Sequence, residues 1–251
     1  MPVVDKRAVA SAFGRAAKDY DSYAELQRRC GERLLTFAGD AHPASVLDAG
    51  CGTGTFSRRW RQRGARVVAL DLSREMLIQA RRYAAAQVYL QGDIEALPLV
   101  DRAFDLAWSN LAVQWCASLE GGLSALKRTV RPGGLVLFST LCADSLYELR
   151  QAWRALDDRA HINRFLTPQQ VTAAAGSALV EYACEPLTVN FTSALSAMRS
   201  LKGVGATHLH SGRGGHALTR ARLQQLSQAW PRETAAYPLT YRLFYGVLIC
   251  E

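Results

Sequence analysis

The chain of 251 residues is long enough for one large domain or two small ones. Its composition, 49% hydrophobic and 21% charged, is that of a globular protein, and no stretch approaches the roughly 20 apolar residues of a membrane helix. The formal charge of +8 is spread over both halves rather than gathered in a tail, so it allows an acidic partner without naming one.

Residues 5–38 read as helical, mildly basic and Ala-rich, without the apolar core of a secretion signal. Asp5, Asp19 and Asp21 argue against a transit peptide. From Ser45 to about Thr140 the pattern alternates cleanly. "SVLDAG" is a short buried strand, and residues 54–64 a helix. "ARVVALD" is a second strand, followed by the helix "SREMLIQARRYAA", with Ser73 as its N-cap and Glu75 and Arg82 placed to suit the helix dipole. "VYLQGD" is a third strand, "FDLAWSN" a fourth, residues 118–130 a helix and "GLVLFSTL" a fifth strand. Strands alternating with helices predict a parallel, doubly wound α/β sheet covered on both faces. Beyond residue 143 the pattern loosens. Helical stretches fall near 144–158, 168–176, 193–201 and 219–229, and two strand-like runs, "ACEPLTVNF" and "YRLFYGVLIC", complete the same sheet. The chain reads as a single domain over 1–251.

Cys30, Cys51, Cys116, Cys142, Cys184 and Cys250 are scattered, with no C-x-x-C pair. That suits a reducing cytosol, so a cytoplasmic location is expected. Five arginines fall within residues 58–66. They make either a solvated helix face or a surface for an acidic partner.

The informative stretch is "VLDAGCGTGTF". Gly50, Gly52 and Gly54 form G-x-G-x-G after a strand that carries Asp48. A dinucleotide loop would read G-x-G-x-x-G. Asp71 and Asp93 end the second and third predicted strands, at the crevice where open α/β sheets bind ligands. A carboxylate at Asp71 can accept both hydroxyls of a ribose, and one at Asp93 can hold an adenine amino group. The helix that follows the loop offers its positive end, at Thr53–Phe56, to a phosphate or a carboxylate.

The ordered set Asp48, G-x-G-x-G, Asp71 and Asp93 resembles the class I S-adenosylmethionine-dependent methyltransferases over roughly residues 45–142. Three further stretches, "AFGRAAKDYDSYAELQR", "SNLAVQWC" and "ALSAMRSLKGVGATHLHSGR", extend the likeness over nearly the whole chain. Together they resemble the malonyl-acyl-carrier-protein O-methyltransferases of biotin synthesis. The resemblance implies a mostly parallel, seven-stranded, Rossmann-like sheet with a final antiparallel strand. Residues 1–44 become a helical lid, 45–142 the cofactor-binding core, and 143–251 the substrate-side insertions and last strands. It further implies S-adenosylmethionine as methyl donor, S-adenosylhomocysteine as product, and an acidic carrier protein bearing malonyl-pantetheine as partner, with neither nucleic acid nor membrane.

Under that resemblance Arg15 and Tyr20 reach the methionine moiety. Asp48, Gly50, Gly52, Gly54, Asp71, Leu72, Asp93 and Ile94 surround the adenosine. Asn110 and Gln114 contact the cofactor or cap their loop. A malonyl carboxylate is ionised at neutral pH, so no general base is required. One cation with neutral donors should grip it, and the candidates are Arg164, Arg150 and Tyr23. Arg199 and Lys202 are expected to contact the carrier. No metal is expected, since His208 and His210 lack further ligands at fixed spacing. "SNLAVQW" is not the N-P-P-Y type of motif that amino-methylating enzymes carry. Two other readings stay open, namely a methyltransferase of a small acid or quinone precursor, and an RNA-binding module with a degenerate version of this fold.

Overall fold

The structure is a computed structural model, and it describes residues 4–206, 219–232 and 234–251. Among these, seven strands form one sheet: β1 (Ser45–Ala49), β2 (Arg66–Asp71), β3 (Val88–Gln91), β4 (Phe104–Asn110), β5 (Val130–Leu141), β6 (Leu179–Phe191) and β7 (Tyr237–Ile249). Their order is β3-β2-β1-β4-β5-β7-β6. The pairs β1–β2, β2–β3, β1–β4 and β4–β5 are parallel, whereas β7 runs antiparallel to both β5 and β6. The expected mostly parallel, seven-stranded α/β sheet is therefore present. Its strand order reverses between β1 and β4, which is where such sheets open a crevice for ligands.

Helices α4 (Thr55–Gln62), α5 (Arg74–Arg82) and α6 (Leu119–Thr129) connect the parallel strands. Ser73 caps α5 as expected, its hydroxyl accepting from Met76 N. Burial alternates along the strands. Val46, Leu106 and Trp108 belong to one core, with Trp60, Leu34 and Tyr245. Leu47, Ala49 and Ala107 belong to the other, with Leu123, Leu126 and Phe138. Strands buried on both faces hold the central sheet rigid, so the loops at their ends inherit fixed positions.

The N-terminal helical stretch is three helices, α1 (Lys6–Ala16), α2 (Tyr20–Tyr23) and α3 (Glu25–Thr36). The later helices are α7 (Tyr147–Arg154), α8 (Pro168–Ala175), α9 (Ala194–Gly203) and α10 (Arg220–Ala229). α7 starts three residues later than the sequence predicts. Asp144 and Leu146 both have positive φ, 70° and 59°, so the chain turns twice before it can wind a helix. β6 starts four residues earlier than "ACEPLTVNF", at Leu179. No helix among the described residues is long and apolar enough to cross a membrane, and all six cysteines are unpaired.

Candidate active site

The glycine loop leaves β1 and is tied at once to β2. Gly50 N and Cys51 N donate to Leu70 O at 2.8 and 2.9 Å. Gly50 has φ +82°, and a Cβ there would lie 2.2 Å from the Ala112 Cβ. Gly54, the N-cap of α4, has φ +83°, and a Cβ there would lie 2.3 Å from the Ala85 Cβ. Both positions demand glycine for conformation and for space.

Each strand-end acid has its own environment. Asp48 is buried, and Ser57 Oγ donates to its Oδ2 at 2.5 Å. Burial raises the Asp48 carboxyl to about 7, the charge of Asp71 adds to this, and the Ser57 hydroxyl works against it. Its role in the loop is internal, since it braces α4 against β1. Asp71 accepts Gly52 N on Oδ2 at 2.9 Å and Ser73 N on Oδ1 at 2.8 Å. Burial raises it to about 6, while the N–H groups of Ser73 and Gly52 hold it down. Each carboxylate oxygen spends one lone pair on the backbone and keeps one for a ligand hydroxyl. Asp93 accepts from Lys6 Nζ at 2.9 Å and from Glu95 N at 3.1 Å, both on Oδ1.

Two connected spaces adjoin these groups. A cleft of about 80 Å³ is lined by Gly50, Gly52, Asp71, Leu72, Asp93, Ile94 and Asn110, with Tyr20 from α2 and Lys6 from α1 above it. A larger cavity of about 360 Å³ lies beyond, walled mainly by apolar side chains such as Leu26, Leu141, Leu149 and Met198. The two spaces share Phe13, Tyr20, Leu111 and Trp115. Burial, with the charges of Asp71 and Asp21 adding, raises the Tyr20 hydroxyl, so it stays a neutral phenol. Gln27 and Gln114 line the cavity, and each carries a buried Oε1 with no hydrogen-bond partner among the described residues. Buried acceptors of that kind fit a ligand that brings donors, such as an ammonium group.

Several expected residues are thus brought together, and others are not. Tyr20, Tyr23 and Gln114 line the cavity, Asp48 lines a small pocket under the loop, and Asn110 donates to Gln27 O at 3.0 Å while accepting from Ser139 Oγ at 2.8 Å. Arg15 does not line the cleft, because its guanidinium turns to Ser11 Oγ at 2.6 Å on its own helix. Arg150 and Arg164 line a neighbouring hollow and not the cavity, and Arg150 donates to Ser145 O at 3.2 Å. His161, Ile162, Asn163 and Phe165 border both that hollow and the cavity. Arg199 and Lys202 are exposed on α9. His208 and His210 lie outside the described residues, and among those residues no group of three metal-ligating side chains converges.

Four arginines of the run at 58–66 have contacts within the chain. Arg59 pairs with Glu32 at 2.6 Å, Arg58 lies over Tyr83 and Arg63 over Trp60, and Arg61 donates to Ala84 O. Sequence reasoning missed Lys6, Gln27 and His161. All three reach the site from outside the strand–helix repeat, and only their separation in the chain conceals them.

Comparison with known proteins agrees with this geometry. A family described as a methyltransferase domain matches residues 47–138. The malonyl-[acyl-carrier protein] O-methyltransferase of Enterobacter lignolyticus is 56% identical over 99% of this chain and 99% of its own. That of Serratia marcescens is 52% identical over 99% and 97%. Among solved structures, a candidate methyltransferase from Bacillus halodurans superposes with a TM-score of 0.63 at 19% identity, over 87% of this chain and 97% of that one. The geranyl diphosphate C-methyltransferase of Streptomyces coelicolor, in complex with S-adenosyl-L-homocysteine, gives 0.52 at 18% identity, over 89% and 79%. The solved structures share the fold. The curated relatives share half or more of the residues end to end, and on that ground the chain belongs to the malonyl-[acyl-carrier protein] O-methyltransferase family.

Proposed function

We propose that this protein transfers a methyl group from S-adenosylmethionine to the free carboxylate of malonyl-acyl-carrier protein, giving the methyl ester that enters biotin synthesis. The observation that carries the reading is the apolar cavity of about 360 Å³ sharing Tyr20, Phe13, Leu111 and Trp115 with the acid-lined cleft. A donor in the cleft and an acyl arm in the cavity would meet at those side chains.

When bound, S-adenosylmethionine supplies an electrophilic methyl group on a sulfonium. Asp71 accepts the two ribose hydroxyls, Asp93 the adenine amino group, and Leu72 and Ile94 flank the base. Gln27 and Gln114 offer their partnerless Oε1 atoms to the amino group of the methionine end. Helices α1 to α3 act as the lid, and the core at 45–142 and the insertions at 143–251 divide cofactor from substrate.

The carboxylate is already the nucleophile, so the chain needs no acid or base. With the donor bound, an oxygen–carbon bond would form as the sulfur–carbon bond breaks, the electron pair would return to sulfur, and no proton would move. What the protein supplies is alignment and removal of water. Alignment of this kind is worth up to about 7–11 kcal/mol in favourable cases. The apolar walls strip hydration from the attacking oxygen as it enters.

The partner is an acidic carrier protein. Arg199 and Lys202, exposed on the helix that walls the cavity, are its contacts. The unpaired cysteines suit the cytoplasm.

The test is transfer of label from methyl-labelled S-adenosylmethionine to malonyl-carrier protein. Label should appear on the carrier as an alkali-labile ester. Label entering free small acids alone would overturn the carrier assignment.

A further inference from the structure

The chemistry above requires something to receive a carboxylate inside an apolar cavity, where an unpaired charge is costly. Among the described residues lining that cavity there is no lysine or arginine, and Glu25 is its one carboxylate. Of the described residues lining it, the one side chain that can carry positive charge is His161.

The ring is held from two sides. His161 Nε2 lies 2.7 Å from Asp157 Oδ1. The imidazole stacks on Trp153, with centroids 3.8 Å apart and planes 8° from parallel. Asp157 in turn accepts from Arg222 Nη2 at 2.5 Å on its other oxygen, and Arg222 reaches over the same Trp153 ring. The hydrogen bond to His161, ahead of the N–H of Arg159 and the Arg222 guanidinium, lowers the Asp157 carboxyl to about 2. Asp157 is therefore an anion, and an anion at Nε2 fixes the proton on that nitrogen. Nδ1 is then the nitrogen through which the ring would meet a ligand.

We propose that His161, as an imidazolium held by Asp157 and Trp153, receives the free carboxylate of the malonyl arm. This rests on the functional reading above and names the residue that reading lacks. The geometry suits the reaction better than an arginine does. A guanidinium engages both carboxylate oxygens in a fork. A single Nδ1–H anchors one oxygen and leaves the other free for attack. Methylation then removes the negative charge, so the ion pair that held the substrate is lost in the ester, and the product leaves more readily than the substrate binds. Arg150 and Arg164 line a neighbouring hollow that His161 also borders, but neither lines the cavity itself.

The readout is discrimination between malonyl- and acetyl-loaded carrier protein, which differ by the carboxylate. Binding of each is measured at saturating S-adenosylhomocysteine, with the full chain. The wild type should prefer malonyl-carrier by at least about tenfold, the scale of a charged hydrogen bond. His161→Gln should bring the ratio close to one, raise KM for malonyl-carrier by a similar factor, and leave affinity for S-adenosylhomocysteine within about twofold. His161→Lys, which keeps a cation, should retain the preference, and it decides the matter if the glutamine variant melts early. A ratio unchanged in His161→Gln, or lost in Arg164→Ala instead, overturns the inference. A wild type that transfers no label to malonyl-carrier ends the functional reading itself, which is a separate outcome.

Discussion

Lys6 reaches from α1 to the tip of β3, with Nζ 2.9 Å from Asp93 Oδ1 and 2.7 Å from Glu95 Oε2. The same Asp93 is the acid proposed to hold the adenine amino group. Burial works against the lysine charge, but the hydrogen bonds to Glu95 and Asp93 outweigh it and raise its pKa. With α1 to α3 acting as the proposed lid, the pair would latch it to the core. Lys6→Met should speed both association and dissociation of S-adenosylhomocysteine about two- to tenfold, with little change in equilibrium affinity, and lower stability by no more than about 1 kcal/mol. Stopped-flow fluorescence would detect this, and identical rates would show that the pair does not latch.

Asp71 offers ribose an acceptor only while ionised. Its carboxyl titrates near about 6 in the ligand-free fold. Bound ribose hydroxyls would favour the charged form, so binding releases a proton at low pH. Affinity for S-adenosylhomocysteine should therefore weaken as pH falls below about 6, approaching tenfold per pH unit. Asp71→Asn should bind at least about tenfold more weakly and lose this dependence, because its amide N–H₂ would face Gly52 N–H or Ser73 N–H. Calorimetry at pH 5 to 8 would settle it, and a flat wild-type profile would count against the assignment.

Asp48 gives a stability profile opposite to that of most carboxylates. Its folded value of about 7 lies above the ordinary 3.8, so between those values the fold holds a proton that the unfolded chain has lost. Stability therefore falls as pH rises through that window and levels off above about 7. Asp71 contributes the same sign up to about 6. The depressed carboxyls of Asp157, Glu185 and Glu95 act in the other direction, but only below about pH 4.5. Denaturant melts of the ligand-free protein at pH 5, 6, 7 and 8 should show the decline, with a shallower slope in Asp48→Asn. An upward slope in the wild type would contradict it.

Arg199 and Lys202 sit exposed one turn apart on α9. If they meet an acidic carrier, reversing both to glutamate should raise KM for malonyl-carrier about tenfold or more while kcat holds. Added salt should shrink the difference, since exposed charges are screened over roughly 8–10 Å at physiological strength. A KM that ignores both charge reversal and salt would move the docking surface elsewhere.

The strands could be read from the sequence wherever they alternate with helices at regular spacing. Phe104–Asn110 matches β4 to the residue. β5 begins earlier than the sequence predicts because its first residues, Val130 to Gly133, include Arg131, Pro132 and Gly133, which look like a turn. β6 was read late because it is an edge strand with Val180, Glu181 and Tyr182 exposed, so no alternation marks its start. The acids and glycines of the cofactor cleft could be located because each follows a strand, and the sheet fixes where strands end. The cavity could not. Its walls come from α2, α3, α7, α9 and the loop at 157–165, which share no period. His161 lies in irregular chain, four residues from Asp157, with no helix there to signal that the two meet. Arg164 is close to it in sequence, yet lines the neighbouring hollow and not the cavity.

β7 lies between β5 and β6 in the sheet, although it follows both in the chain. As a ribosome makes the protein, β6 is finished long before it has a neighbour to pair with, and its exposed Val180 and Tyr182 must wait unpaired in the meantime. The half of the sheet around the glycine loop can assemble early from parallel neighbours. The half that bears the acyl cavity can form only when Tyr237–Ile249 slots in between. A nascent chain halted before Tyr237 should therefore resist protease around β1 to β4 and be cut around β6.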